Sequence, residues 1–166
     1  PESDAEHSWH LAMFAWFLSD QIDPELDPLR LIKMVLMHDL VEIYAGDTYA
    51  FDTSGQSTKS ARELVAARQL FDELPEDLAA EFHGLFQEFE TGQTLLAQTA
   101  RAFDNLQAML QDLATDGRAV RKSQKNREEV YQWFLPLMQY HPSVHHLYEA
   151  LLNRMDERAM FASQPN

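Results

Sequence analysis

Residues 28–47 read Pro28-Leu-Arg-Leu-Ile-Lys-Met-Val-Leu-Met-His38-Asp39-Leu-Val-Glu42-Ile-Tyr-Ala-Gly46-Asp47, an apolar run that ends in a group of metal-binding or acid/base side chains. Asp27 stands ready as an N-cap, with Pro28 at the first helical position, which suits its fixed φ. Gly46 is a natural terminator, so the stretch predicts one helix from Pro28 to about Ala45. Its far end carries acids to the edge of a core. Burying a lone carboxylate costs on the order of several kcal/mol, so such acids keep a cation, a hydrogen-bond network or solvent beside them. His38 and Glu42 lie one turn apart on the same side, while Asp39 is rotated by about 100°. The two neighbours could approach one ion near a distorted helix end. The alternative is that His38 hydrogen-bonds a backbone carbonyl and the acids face water. The local pattern leaves both open.

Outward from this helix, the rest of the chain also reads as helical. Ser3 and Glu6 have capping-box spacing, and the segment onward to about Leu18 is apolar on nearly every side, which predicts a buried helix. His7 shares a face with Leu11, Phe14 and Leu18 and points toward packed surroundings, while Trp9, Met13 and Trp16 occupy the other face. Residues 48–58, rich in Thr, Ser, Gly and Asp, read as an exposed loop. Helices follow at about 59–73, 76–90 and 93–115, bounded by Pro75, Gly92 and Asp116-Gly117. Arg118, Arg121, Lys122, Lys125 and Arg127 read as a solvated basic linker. Two final helices, about 125–140 and 143–162, are separated by Pro142.

Composition agrees with this pattern. The 166 residues, 45% hydrophobic, suffice for one domain with a real core and are too few for two. Only 5 Gly occur among many Ala, Leu, Glu, Gln and Met, which favours an all-α fold of six or seven helices. With no Cys in the chain, any metal must be held by imidazole and carboxylate, and a cytoplasmic setting is expected. The longest apolar stretch, Leu29 to Leu40, contains Arg30, Lys33, His38 and Asp39, far from the roughly 20 uncharged residues of a membrane span. A net charge of −14 argues against a nucleic-acid polymer as ligand. A small phosphorylated molecule remains compatible, because a bound divalent cation reverses the local field.

In order along the chain, Glu6-His7-Ser8, His38-Asp39 and Phe103-Asp104-Asn105-Leu106 resemble the H…HD…D signature of the HD superfamily of metal-dependent phosphohydrolases. A wider set resembles the branch containing 5'-deoxynucleotidases and HD-domain-containing protein 2. It comprises Glu2-Ser3-x-Ala5-Glu6-His7, His38-Asp39-x-x-Glu42-x-x-x-Gly46-Asp47, Arg62-Glu63, Glu88-Phe89-Glu90 and Asp104-Asn105-Leu106. The likeness covers most of residues 2–110. Each motif alone is weak, and the ordered set is fairly specific.

The resemblance implies one HD domain over 1–166, preceded in the family by a segment that helps select the nucleotide. It also implies a metal held by His7, His38, Asp39 and Asp104. Imidazole and carboxylate together suit Mn, Co, Fe, Ni or Zn. Asp104 rests on the motif alone, since it falls off the stripe of Leu96, Phe103, Leu106, Leu110 and Leu113 and helical phase prefers it to neither Asp112 nor Asp116. Glu42 and Asp47 are implied as acid/base or water-orienting groups, with binding to a sugar hydroxyl or a metal-bound His as the alternative. Arg62 and Glu63 belong either to the site wall or to a surface pair. His10 is expected to pack or support, and His83, His141, His145 and His146 to be structural or superficial. Trp9, Trp16 and Trp133 are expected in the core rather than as nucleobase platforms. The implied activity is hydrolysis of nucleoside 5'-monophosphates by a homodimer. Hydrolysis of a triphosphate, cyclic nucleotide or alarmone is the enzymatic alternative, and an inert metal-binding helical module the non-enzymatic one. No additional His-rich motif supplies the second iron of an HD oxygenase.

Overall fold

The computed structural model describes residues 2–48 and 52–163, and among these there is no strand. The first helix, α1 (Asp4–Ile22), starts at the predicted capping box: the Ser3 hydroxyl accepts from Glu6 N, and the Glu6 carboxylate accepts from Ser3 N at 2.9 Å. α1 is not buried all round. Leu11, Ala15 and Ile22 enter the core, whereas Trp9 and Trp16 are 62% and 66% exposed. Apolar content predicted burial on every side, but α2 and α6 cover only the inner face.

α2 (Pro28–Met37) begins where expected, with the Asp27 carboxylate accepting from Leu29 N and Arg30 N. It does not run unbroken to Ala45. A 3₁₀ turn takes over at His38–Val41, followed by the single-turn α3 (Glu42–Ala45). The helix is therefore distorted at the residues whose phase resisted convergence. Gly46, with φ at +74°, ends α3 in a conformation that other residues adopt at a cost.

α4 (Thr53–Phe71) starts earlier than the sequence suggested, because Asp52 caps it through Ser54 N and Gly55 N. The predicted loop 48–58 thus shrinks, and its positions 49–51 lie outside the described residues. α5 (Glu76–Thr91) and α6 (Leu95–Ala114) follow between Pro75, Gly92 and the Thr94 cap. The basic stretch is not a plain linker, since Arg118–Ser123 forms a short helix, α7. α8 (Arg127–Met138) has an Asn126–Glu129 capping box, and α9 (Pro142–Glu157) begins at His141. Among the described residues, the seven longer helices match the seven expected from sequence, with α3 and α7 in addition.

α6 is the central element, packing against α1, α2, α5, α8 and α9. Phe103 and Leu106 point inward from it, and the core continues through Leu31, Phe71, Tyr148 and Leu152. Asp112, which helical phase left as a rival of Asp104, has a structural task. One of its carboxylate oxygens accepts from Ala119 N at 2.7 Å and the other from Val120 N at 2.9 Å, which starts α7. Asp112→Ala removes the acceptor that both amides use and is expected to cost about 1–3 kcal/mol, read as a lower urea midpoint with an unchanged slope.

Candidate metal centre

Three helical segments converge at one end of the bundle. α1 brings His7 in its first turn, the 3₁₀ turn after α2 brings His38 and Asp39, and α6 brings Asp104 from its middle. His38 is 5% exposed and its ring is fixed by chemistry as much as by packing. Its Nδ1 lies 2.9 Å from the Val35 carbonyl, which can only accept, so that nitrogen carries the proton. The carbonyl bond foreseen as an alternative to metal binding therefore exists and orients the other nitrogen. Buried Nε2 has no hydrogen-bond partner, although Asp39 Oδ1 is 3.0 Å away and Asp104 Oδ1 3.8 Å away. The Phe89 ring, 5.0 Å from the imidazole between centroids, closes another side.

His7 is held in the same manner by a residue that sequence reading missed. Its Nδ1 lies 2.7 Å from Gln107 Oε1, which accepts, leaving Nε2 turned to Asp104 Oδ1 at 3.1 Å and Asp39 Oδ2 at 3.6 Å. Gln107 is fully buried and its own amide is fixed, donating to Glu2 Oε1 at 2.7 Å and lying 3.1 Å from His10 Nδ1. Its position three residues after Asp104, on the same side of α6, was the available signal.

Donor atoms from His7, His38 and Asp39 all fall within 4.8 Å of one another. Asp104 lies outside that tightest group yet approaches both imidazoles. Two ring nitrogens oriented from behind, carboxylate oxygens beside them and an orphaned buried Nε2 make a donor set that could hold one divalent transition metal. Such a charge would also offset the acids that crowd the site.

Burial raises the Glu42 carboxyl to about 7, helped by the negative charges of Asp39 and Asp47 and opposed by Lys59. Glu63 is buried and also raised, by burial and by other carboxylates against the pull of Lys59. Lys59, likewise unforeseen, sits between them, its Nζ 3.5 Å from Glu63 Oε1 and 4.0 Å from Glu42 Oε1. Its i,i+4 spacing to Glu63 is legible in sequence, but its direction toward the site is not.

Asp47 is exposed at the rim of the cleft. Arg62 secures the backbone leading to it, donating to the Ala45 carbonyl and to Thr48 Oγ1 at 2.6 Å. Glu63 thus lines the cleft, whereas Arg62 is not part of its lining and instead holds the Ala45 carbonyl and the Thr48 side chain. From the fourth motif, Glu88 binds Arg30 at 2.6 Å and Thr94 at 2.6 Å, outside the donor cluster. His83 pairs with Asp72, His141 caps α9 and His145 meets Tyr131, all apart from the centre.

Residues 1–137 match the HD domain family, and the chain belongs to it. Among its relatives, human 5'-deoxynucleotidase HDDC2 is 32% identical over 111 residues, covering 67% of this chain and 53% of the relative. The Dictyostelium discoideum protein of the same name is 30% identical over 116 residues, covering 67% and 61%. The chain spans about half the length of the first of these curated relatives. The crystal structure of a predicted metal-dependent phosphohydrolase from Magnetospirillum magnetotacticum superposes with a TM-score of 0.86 at 37% identity, covering 98% of this chain and 83% of that one.

The carboxylates beside the two rings favour the protonated imidazoles. Burial alone lowers the basicity of His38, but Asp104 and Asp39 outweigh it and raise its pKa from 6.5 to about 10. Asp104 is held well below the usual carboxylate range: burial opposes this, and the two imidazoles overcome it. The raised His38 contributes stability that is complete below pH 6.5 and lost as pH climbs to about 10. The depressed Asp104 contributes above its ordinary value of 3.8 and loses that contribution on acidification. The melting temperature in EDTA is therefore expected to fall between pH 6.5 and 10. Saturating Mn²⁺ is expected to flatten that decline, because a cation replaces the proton.

Proposed function

We propose that this chain is a metal-dependent phosphomonoesterase of nucleoside 5'-monophosphates, deoxynucleotides included. In this proposal it acts as a single HD domain, with His7, His38, Asp39 and Asp104 holding one Mn, Co, Fe, Ni or Zn ion. The observation that carries it is the convergence of these donors, with the Nε2 of buried His38 unpartnered, beside the acids Glu42 and Asp47. The names of the deoxynucleotidase relatives and of the metal-dependent structural neighbour support the choice of reaction.

When bound, the metal would supply Lewis acidity that neutralises phosphate oxygens and acidifies a water. The remaining work falls to side chains. Val35 and Gln107 hold the imidazole protons on Nδ1, so both Nε2 atoms stay available. Glu42, with its pKa raised to about 7, can hold or release a proton at neutral pH, as transfer to a leaving alkoxide or from a water requires. Asp47 offers a second carboxylate at the rim, on backbone pinned by Arg62. Lys59 limits the repulsion between Glu42 and Glu63.

The proposal extends to a homodimer, supported by the exposed Trp9, Trp16 and Phe17 of α1, and to a cytoplasmic location, supported by the absence of Cys. No helix among the described residues is long and apolar enough to cross a membrane.

A panel of nucleoside mono-, di- and triphosphates, assayed for inorganic phosphate with and without Mn²⁺ or Co²⁺, tests the reaction. Metal-dependent release from monophosphates is expected, and no turnover of any monophosphate would falsify the assignment. Glu42→Gln is expected to lower kcat by about 100-fold or more while keeping the metal content, which separates chemistry from metal retention. Gln107→Leu removes the acceptor behind His7 and is expected to weaken metal affinity by about 10–100-fold, measured by chelator competition, with the far-UV spectrum preserved.

A further inference from the structure

The cleft that contains the candidate metal centre extends beyond it. Its volume is about 830 Å³, and its lining continues from Asp104 along α6 to the facing side of α8. On α6 the lining residues Asp104, Asn105, Ala108, Met109 and Asp112 recur at helical spacing, so they form one stripe. Val130, Trp133, Phe134 and Leu137 form the corresponding stripe on α8, at i, i+3, i+4 and i+7. The two helices pack together, and the stripes bound a second arm of the same cavity.

The chemistry of this arm differs from that of the centre. Met109, Val120 and Val130 form a nearly closed apolar floor, and the indole of Trp133, 42% exposed and with the Lys125 ammonium 5.9 Å from its ring centroid, forms a wall. Its one carboxylate, Asp112, already has both oxygens on backbone amides of α7. The arm is therefore suited to a flat, uncharged ring system. From Asp104 to Ala108 and Met109 the rise along α6 is about 6–8 Å, the reach of a pentose.

We infer that this arm seats the nucleobase, with Trp133 as a stacking wall over a Met109 and Val130 floor and the substrate phosphate at the metal centre. The inference rests on the proposed nucleotidase reaction and adds where the rest of the substrate lies. Recognition here comes from ring stacking and apolar contact, so a base is expected to increase affinity over a bare sugar phosphate.

Ala108 is exposed and borders the arm, so Ala108→Trp fills it from the surface side without entering the core. The kcat/KM values for deoxyadenosine 5'-monophosphate and deoxyribose 5-phosphate are compared in wild type and variant. The ratio of the two is expected to fall by about 10-fold or more in the variant. An unchanged ratio overturns the inference. In parallel, deoxyadenosine is titrated into wild-type protein followed by methyl NMR, with shifts expected at Met109, Val120 and Val130 and abolished by Ala108→Trp. Absence of those shifts, or shifts only elsewhere, overturns the inference on its own. The titration needs no turnover, so it decides the base site even if no monophosphate is hydrolysed and the reaction proposal falls. If Ala108→Trp does not fold, Trp133→Leu is put through the same two measurements, with the same outcomes deciding.

Discussion

A buried imidazole with one satisfied nitrogen and one unsatisfied nitrogen is the constraint around which this end of the bundle is arranged. Burying His38 without any partner would be costly, and the Val35 carbonyl removes half of the difficulty within the same helix. The remaining lone pair must face something positive. Asp39 and Asp104 cannot supply that themselves, so they draw either a proton or a cation between them and the rings. The shift from α-helix to 3₁₀ turn at His38 occurs where these demands meet. Phe89 and the α6 side chains then limit the space in which the charge can reside.

The surrounding acids follow the same logic at longer range. Glu42 and Glu63 would repel the cluster if both were ionised without compensation, and Lys59 is the cation between them. Arg62 reinforces the arrangement differently, through backbone carbonyls rather than carboxylates. Two neighbouring basic positions on α4 thus have separate tasks: one moderates charge and the other shapes the loop that bears Asp47.

Much of this was legible in the sequence, for identifiable reasons. Caps at Ser3, Asp27 and Gly46 involve residues close in sequence, so the helix ends there could be read directly. The break after Met37 could not, because it answers to contacts with α4 and the bundle rather than to propensity. Asp52 was overlooked beside a stretch rich in Ser, Thr and Gly, although it is the cap that starts α4. Trp9 and Trp16 misled by size: a large apolar side chain is not evidence of which face it occupies. Asp104 was recognisable only through the ordered motif, since its phase on α6 belongs to the side that turns from the core toward α1. Gln107 and Lys59 went unnoticed because their value is a direction in space. The alternative readings for His38 were also less opposed than they looked, as the carbonyl bond frees its second nitrogen to face the cluster.

The bond between His7 and Asp104 joins residues 97 positions apart, whereas His38 and Asp39 are adjacent. An unfolded chain therefore carries half of the donor set ready-made and lacks the other half until α1 has docked on α6. Closing so long a loop is among the slower and entropically dearer events of folding. A ligand that needs all four groups would bind the disordered chain weakly and the finished bundle tightly. Its occupancy would then act as a proofreading signal, marking molecules in which the first helix has found its place.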